Sequence, residues 1–196
     1  MLLQKRIVLD PGHGGKDFGA FYDSLKESEL TLELGLNTER KLKILGDSNI
    51  YLTRRTGVFL TLTERVQIAN QLKADIFISL HFNSFSQSFA KGIEAYADLD
   101  RVNKRIVDNS KDLAIDILNC VQSNLNLHKY EEPERGFKAS HFQVIRYTQM
   151  PAVLFEGPFL SSPTDRLLLL QPNFIEVLGG GIANGIHQFF HKDIIS

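Results

Sequence analysis

A chain of 196 residues has the length of one domain and enough material for a hydrophobic core of its own. Its residues are 43% apolar and 23% charged, with a formal net charge of −1, which excludes a broad basic field for nucleic acid or an anionic membrane. The single cysteine, Cys120, excludes an intrachain disulfide and a cysteine cage, so any metal site must use histidine and carboxylate.

No apolar run reaches the about 20 residues that span a bilayer. Met1 to Arg6 is basic, but strand-like residues and Pro11-Gly12 follow at once, without the apolar segment of a secretion signal. Export by another route, a removed leader and work inside the cell all stay open.

Ile7-Val8-Leu9 predicts a short buried strand that runs into Asp10-Pro11-Gly12-His13-Gly14-Gly15, where glycine and proline force a loop. Glu29 to Leu45 is rich in Leu, Glu, Lys and Arg and predicts a helix. Ile50 to Thr53 reads as a second strand. Thr61 and Glu64 form a capping box, and the helix they open places Leu62, Val66 and Ala69 on one face. Ile76 to Leu80 is a third strand ending at His81, and Ile93 to Ala97 a fourth. Ser110 to Leu127 reads as a long amphipathic helix, with Cys120 as a small core residue. Phe142 to Arg146 and Ala152 to Phe155 read as two further strands. Ser162-Pro163 opens a short helix, and Phe174 to Phe190 forms the last one.

Strands alternating with helices, with no repeat or linker, predict one α/β domain over residues 1–196. The early strands are each followed by a helix and are expected to be parallel. The short 80–93 and 146–152 connections argue for some antiparallel pairing and so for a mixed, mostly parallel sheet.

Three ionisable residues stand where strands run out: His13, His81 and Glu156. In open α/β sheets the carboxyl ends of strands bind ligands. Glu27, in the loop before the first helix, lies close to the same rim. Two imidazoles and a carboxylate make a three-ligand zinc set with a fourth position open to water. A second, unligated carboxylate then serves as general base. Each residue also has a plainer reading. His13 and His81 suit loop histidines satisfied by backbone, and Glu27 suits a helix-start carboxylate. Glu29 rivals Glu27 as a ligand, and Glu156 suits a salt bridge to Arg65 or Arg146. Asn83 reads as an orienter of the His81 loop or a turn residue, and Arg65 with Glu94 as a structural pair. His141 reads as a surface residue or a substrate contact, and His128, His187 and His191 as surface residues. Gly12 to Lys16 is not a phosphate loop, because Asp10 replaces the required glycine and Asp17 the required Ser or Thr.

Ile7-Val8-Leu9-Asp10-Pro11-Gly12-His13-Gly14-Gly15-Lys16-Asp17 resembles the opening of the zinc-dependent N-acetylmuramoyl-L-alanine amidases, the amidase 3 family. The resemblance runs on in order through Lys26-Glu27-Ser28-Glu29-Leu30, Tyr51-Leu52-Thr53-Arg54 and Leu62-Thr63-Glu64-Arg65. It continues through Phe77-Ile78-Ser79-Leu80-His81-Phe82-Asn83-Ser84 and Gly92-Ile93-Glu94 to Pro151-Ala152-Val153-Leu154-Phe155-Glu156. It implies a single domain around a mixed six-stranded sheet, with Zn2+ on His13, Glu27 and His81 and Glu156 as the catalytic glutamate. The implied reaction is hydrolysis of the amide between the muramic acid lactyl group and L-alanine of peptidoglycan or muropeptides. A monomer acting at the cell wall, in the periplasm or outside the cell is expected. The alternatives are a zinc peptidase cutting another wall amide and an inactive wall-binding module. The sequence departs from the family at Gly157-Pro158 and at Phe82, where a small residue is usual. The short polar stretch from Leu99 to Asn109 leaves no room for an inhibitory helical insertion, so an open site is expected.

Overall fold

The computed structural model describes residues 5–47, 49–130 and 133–192. Part of the basic start at residues 1–6, and the ends of the domain expected over 1–196, lie outside the described residues. The chain runs β1 (Ile7–Pro11), β2 (Phe21–Tyr22), β3 (Leu25–Lys26), α1 (Glu27–Ile44), β4 (Ile50–Leu52), α2 (Leu62–Gln71), β5 (Ile76–Phe82) and β6 (Ile93–Ala97). It continues with α3 (Lys104–Leu127), β7 (Glu134–Ala139), α4 (Gln143–Arg146), β8 (Ala152–Gly157), α5 (Pro163–Leu169) and α6 (Phe174–His191).

The six-stranded sheet has the order β4-β1-β5-β8-β6-β7, and β2 and β3 form a separate small ribbon. Every pairing in the large sheet is parallel except β6 with β8. The single domain and the mixed, mostly parallel sheet therefore stand as expected. The route to the mixed sheet differs: β5 and β6 are not neighbours, and the antiparallel partner of β6 is β8.

Helices cover both faces, so the central strands are apolar on both sides. Ile7, Leu9, Ile76, Ile78, Leu80, Val153 and Phe155 point into the larger core, under α1, α3 and α6. Val8, Phe77, Ala152 and Leu154 point into the smaller core with Val66 and Ala69 of α2 and Val144 and Ile145 of α4. The period of two along each strand then sends Asp10, His81, Glu156 and Glu94 to the α2/α4 side.

The capping box at Thr61 and Glu64 is present, as is the Ser162 cap on α5. Leu62 is half exposed, because it opens onto the cleft described below rather than the core. Four readings are corrected. Residues 142–146 are not a strand: an apolar run this short cannot be told from a helical turn by periodicity, and it forms α4 beneath the sheet. The sixth strand is β7, whose charged residues gave no apolar signal. Helix α3 starts at Lys104, capped by Asn103, so part of the polar 99–109 stretch is helical. Cys120 is half-buried against Gln188 of α6, not a core residue.

Candidate metal centre and active site

β1 ends in a proline and glycines that turn the chain back across the top of the sheet, with His13 at φ 60°. Gly12 is needed at the close approach: a Cβ there would stand 2.2 Å from Cε1 of His81. His81 is the next-to-last residue of β5, inside the strand rather than after it. Glu27 is the first residue of α1.

These three side chains meet at one atom. Oε1 of Glu27 lies 3.0 Å from Nε2 of His13 and 2.9 Å from Nδ1 of His81. The Phe82 N–H also donates to Oε1, at 3.2 Å, and the Ala20 N–H donates to Oε2 at 2.8 Å. The imidazoles meet edge to face, with centroids 4.9 Å apart. Burial pushes the Glu27 carboxyl up, but hydrogen bonds and charge from His13 and His81 outweigh it and hold it well below the usual range. Burial lowers His13, and Glu27 and Asp17 outweigh that to raise it. In the absence of a cation, two imidazole N–H groups must face one carboxylate oxygen. A divalent ion would take the place of those protons, and this nitrogen–nitrogen–oxygen donor set fits one such as zinc.

The other ring nitrogen of His13 is held by Asp17, Nδ1 to Oδ2 at 2.8 Å, and Asp17 also accepts from the Gly19 N–H at 3.0 Å. A carboxylate on the far nitrogen fixes the tautomer and aims Nε2 inward. Sequence reading missed this role, although the spacing of four residues after His13 carried it.

Two buried arginines hold the His13 loop from below. Arg54 donates to the carbonyls of Pro11 at 2.9 Å, Gly12 at 2.7 Å and Ser28 at 2.7 Å, and to the Thr31 hydroxyl at 3.0 Å. It thereby ties the loop carrying His13 to the first turn of α1, which carries Glu27. Burial, then the charge of Arg65, lowers its guanidinium to about 10. Arg65 pairs with Asp10 at 2.8 Å and donates to the carbonyls of Pro11 at 2.7 Å and His13 at 2.6 Å. Asp10 also accepts from Ser79 and Thr53.

Glu156 lies in β8, directly beside His81 in the parallel ladder and opposite Glu94 in the antiparallel one. Among the described residues its Oε2 is buried with no hydrogen-bond partner, and neither Arg65 nor Arg146 forms a salt bridge with it. Burial first, then the negative charges of Glu27 and Glu94, raises its carboxyl well above the ordinary range. A carboxylate that lines a cleft with one orphaned oxygen has the chemistry to take up and return a proton. Glu94 is, by contrast, saturated: it accepts from Asn83 at 2.6 Å, Tyr96 at 2.5 Å, Arg135 at 2.7 Å and Lys138. Burial pushes it up, yet these partners bring it down to about 2. Arg135 and Lys138 were invisible in the sequence because β7 itself was, while Tyr96 lies two residues after Glu94 on β6.

The remaining candidates fall elsewhere. Glu29 is exposed and pairs with Lys26 at 2.8 Å, so it does not compete with Glu27. Arg65 and Glu94 are not a pair. His141 is exposed and sits between Asp98 and Asp100, while Arg146 binds Asp98. His187 and His191 stack on each other on α6, and His128 caps α3. Phe82 is buried, its ring against Gly157, and offers no open stacking face. A cleft of about 440 Å³ opens beside the three converging residues, lined also by Asn83, Phe142, Val144 and Glu156. Among the described residues no helix is long and apolar enough to cross a membrane.

The family model described as N-acetylmuramoyl-L-alanine amidase (Amidase_3) matches residues 7–188. The chain is 37% identical to the Bacillus subtilis strain 168 protein YqiI, covering 96% of this chain and 86% of that protein. It is 33% identical to an endolysin of Bacillus phage SPP1, covering 96% of this chain and 67% of that protein. Among solved structures it is similar to an N-acetylmuramoyl-L-alanine amidase from Clostridium difficile 630, with TM-score 0.86, 27% identity, and coverage of 97% and 98%. With its sheet, its converging side chains and this match across nearly its whole length, the chain belongs to the Amidase_3 family of N-acetylmuramoyl-L-alanine amidases.

Proposed function

We propose that residues 1–196 form one catalytic domain that hydrolyses the amide between the lactyl group of N-acetylmuramic acid and L-alanine in peptidoglycan, acting on the cell wall with zinc on His13, Glu27 and His81. The reading is supported by the family match, and one observation carries it. Two imidazoles and a carboxylate converge on a single point, with an unpartnered carboxylate, Glu156, in the neighbouring position of the sheet.

A bound zinc ion supplies Lewis acidity for the attacking water and for the charge that develops on the amide oxygen. Glu156, which lines the cleft and whose carboxylate accepts no hydrogen bond among the described residues, takes a proton from the water. It gives that proton to the leaving nitrogen, so a free peptide and a lactyl carboxylate result. Its raised proton affinity suits both halves of the cycle. Glu94 stays ionised beneath it because four donors hold its charge, and that charge keeps Glu156 basic.

Elemental analysis of purified protein, paired with mass spectrometry of digested peptidoglycan, tests the proposal. Zinc at one equivalent and intact stem peptides with free L-alanine amines are expected. Cleavage inside the stem would move the activity to a peptidase. Binding without any product, equal in metal-free protein, would leave only a wall-binding module.

A further inference from the structure

The histidines sit at the waist of the cleft rather than at its end. Beside the lobe of about 440 Å³ lies a second of about 320 Å³, and His13, His81, Leu62 and Val144 belong to both. The larger lobe adds Asn83, Ser84, Phe142, Gln143 and Glu156. The smaller adds Asp17, Phe59, Leu60 and Thr61. Each lobe carries one partly exposed aromatic ring. Phe142 is 39% exposed and meets Tyr96 edge to face at 5.2 Å. Phe59 is 37% exposed, with the Lys16 ammonium 4.8 Å from its centroid.

An amide joins two unlike halves, an acyl and an amine, at the bond that breaks. A substrate whose acyl carbon lies over the waist must send one half into each lobe. The proton balance decides which. Water oxygen adds to the acyl carbon, the carbon–nitrogen bond breaks, and the nitrogen leaves with a proton received from Glu156. The nitrogen must therefore face Glu156, and Glu156 lines the larger lobe and not the smaller.

We infer that the larger lobe is the subsite for the amine half, a peptide, and the smaller lobe the subsite for the acyl half, a lactyl-substituted sugar. This rests on the amidase reading above. The linings agree with it. Asn83, Ser84 and Gln143 offer the side-chain amides and hydroxyl that match a peptide backbone. In the smaller lobe the Phe59 ring offers an apolar face to sugar C–H groups, and Thr61 lies on the same wall. Phe142 and Phe59 are then specificity-determining residues for opposite ends of the substrate.

The test uses the zinc-loaded chain and three soluble amides: a muramoyl pentapeptide, a muramoyl dipeptide trimmed on the amine side, and a lactyl pentapeptide lacking the sugar. Phe59→Ala is expected to erase most of the kcat/KM advantage of muramoyl over lactyl substrate, about tenfold, while keeping the pentapeptide-to-dipeptide ratio. Phe142→Ala is expected to do the reverse. Phe59→Leu and Phe142→Leu, which keep an apolar side chain, decide the matter where an alanine variant fails to fold. A reversed pattern, both variants acting on the same half, or a wild type indifferent to trimming overturns the inference while leaving the activity intact. A wild type that cleaves none of the three overturns the amidase reading itself.

Discussion

Glu94 stands directly opposite Glu156 across the antiparallel β6–β8 pair, two carboxylates on one face of the sheet with opposite fates. One is saturated with donors and held down to about 2; the other has a buried oxygen with no partner and is raised. Cross-strand neighbours feel each other's charge. Glu94→Gln removes a negative charge beside Glu156, so it favours the ionised form of Glu156 and lowers its proton affinity. The acid limb of the kcat/KM profile, where the base becomes protonated, is expected to move to lower pH. An unmoved limb would separate the two groups.

The same substitution has a stability signature. Glu94 titrates at about 2 in the folded chain against an ordinary 4.5, so its contribution is fully present above pH 4.5. It is lost as pH falls from 4.5 toward 2. Thermal melts across that window are expected to fall less steeply with acid in Glu94→Gln than in wild type.

Glu156→Gln keeps the shape of the side chain and removes the base. Zinc content is expected to match wild type while amide cleavage falls by about 10²–10⁴-fold. Turnover retained by this variant would remove Glu156 from the chemistry.

Arg54 joins the His13 loop to the start of α1 through carbonyl acceptors, while the Asp10 carboxylate pairs with Arg65. Arg54→Lys keeps the charge and loses the planar fork that reaches several carbonyls at once. Zinc affinity by chelator competition is expected to weaken about 10–100-fold, with circular dichroism unchanged. Thr31→Val, which removes the hydroxyl that donates to the Gly12 carbonyl at 2.8 Å, is expected to act in the same direction more weakly.

Gly12→Ala tests the close approach at the top of β1. The added Cβ would lie 2.2–2.7 Å from Cε1, Nε2 and Nδ1 of His81, so the imidazole must move off the Glu27 carboxylate. Zinc binding is expected to fail in a chain that still melts cooperatively.

Much of this was legible in the sequence, for physical reasons. Asp-Pro-Gly-His after an apolar run announces a strand that stops at a rim, and the run ending in His81 repeats the statement. Apolar residues before Glu156 make its carboxylate expensive unless it works. What the sequence hid lies in pairings that cross the fold. Glu134-Arg135-Gly136-Phe137-Lys138-Ala139 reads as loop because an edge strand can carry charge, and here Arg135 and Lys138 serve Glu94 rather than solvent. Phe142 to Arg146 is too short for its period to separate helix from strand. Arg65 read as a partner for Glu94 or Glu156 and Arg54 carried no reading of its own, and only the folded loop shows which carbonyls they serve.

The strand order also governs which parts of the molecule breathe. β1, β5, β8 and β6 each have a neighbour on both sides, while β4 and β7 stand at the margins. Marginal strands open first in native-state fluctuations, and doubly paired ones yield only on global unfolding. Amide hydrogens of β1, β5, β8 and β6 are therefore the slow-exchanging ones. The scaffold under His13, His81 and Glu156 stays assembled while the periphery frays, so any opening of the site belongs to loop motion above a fixed floor.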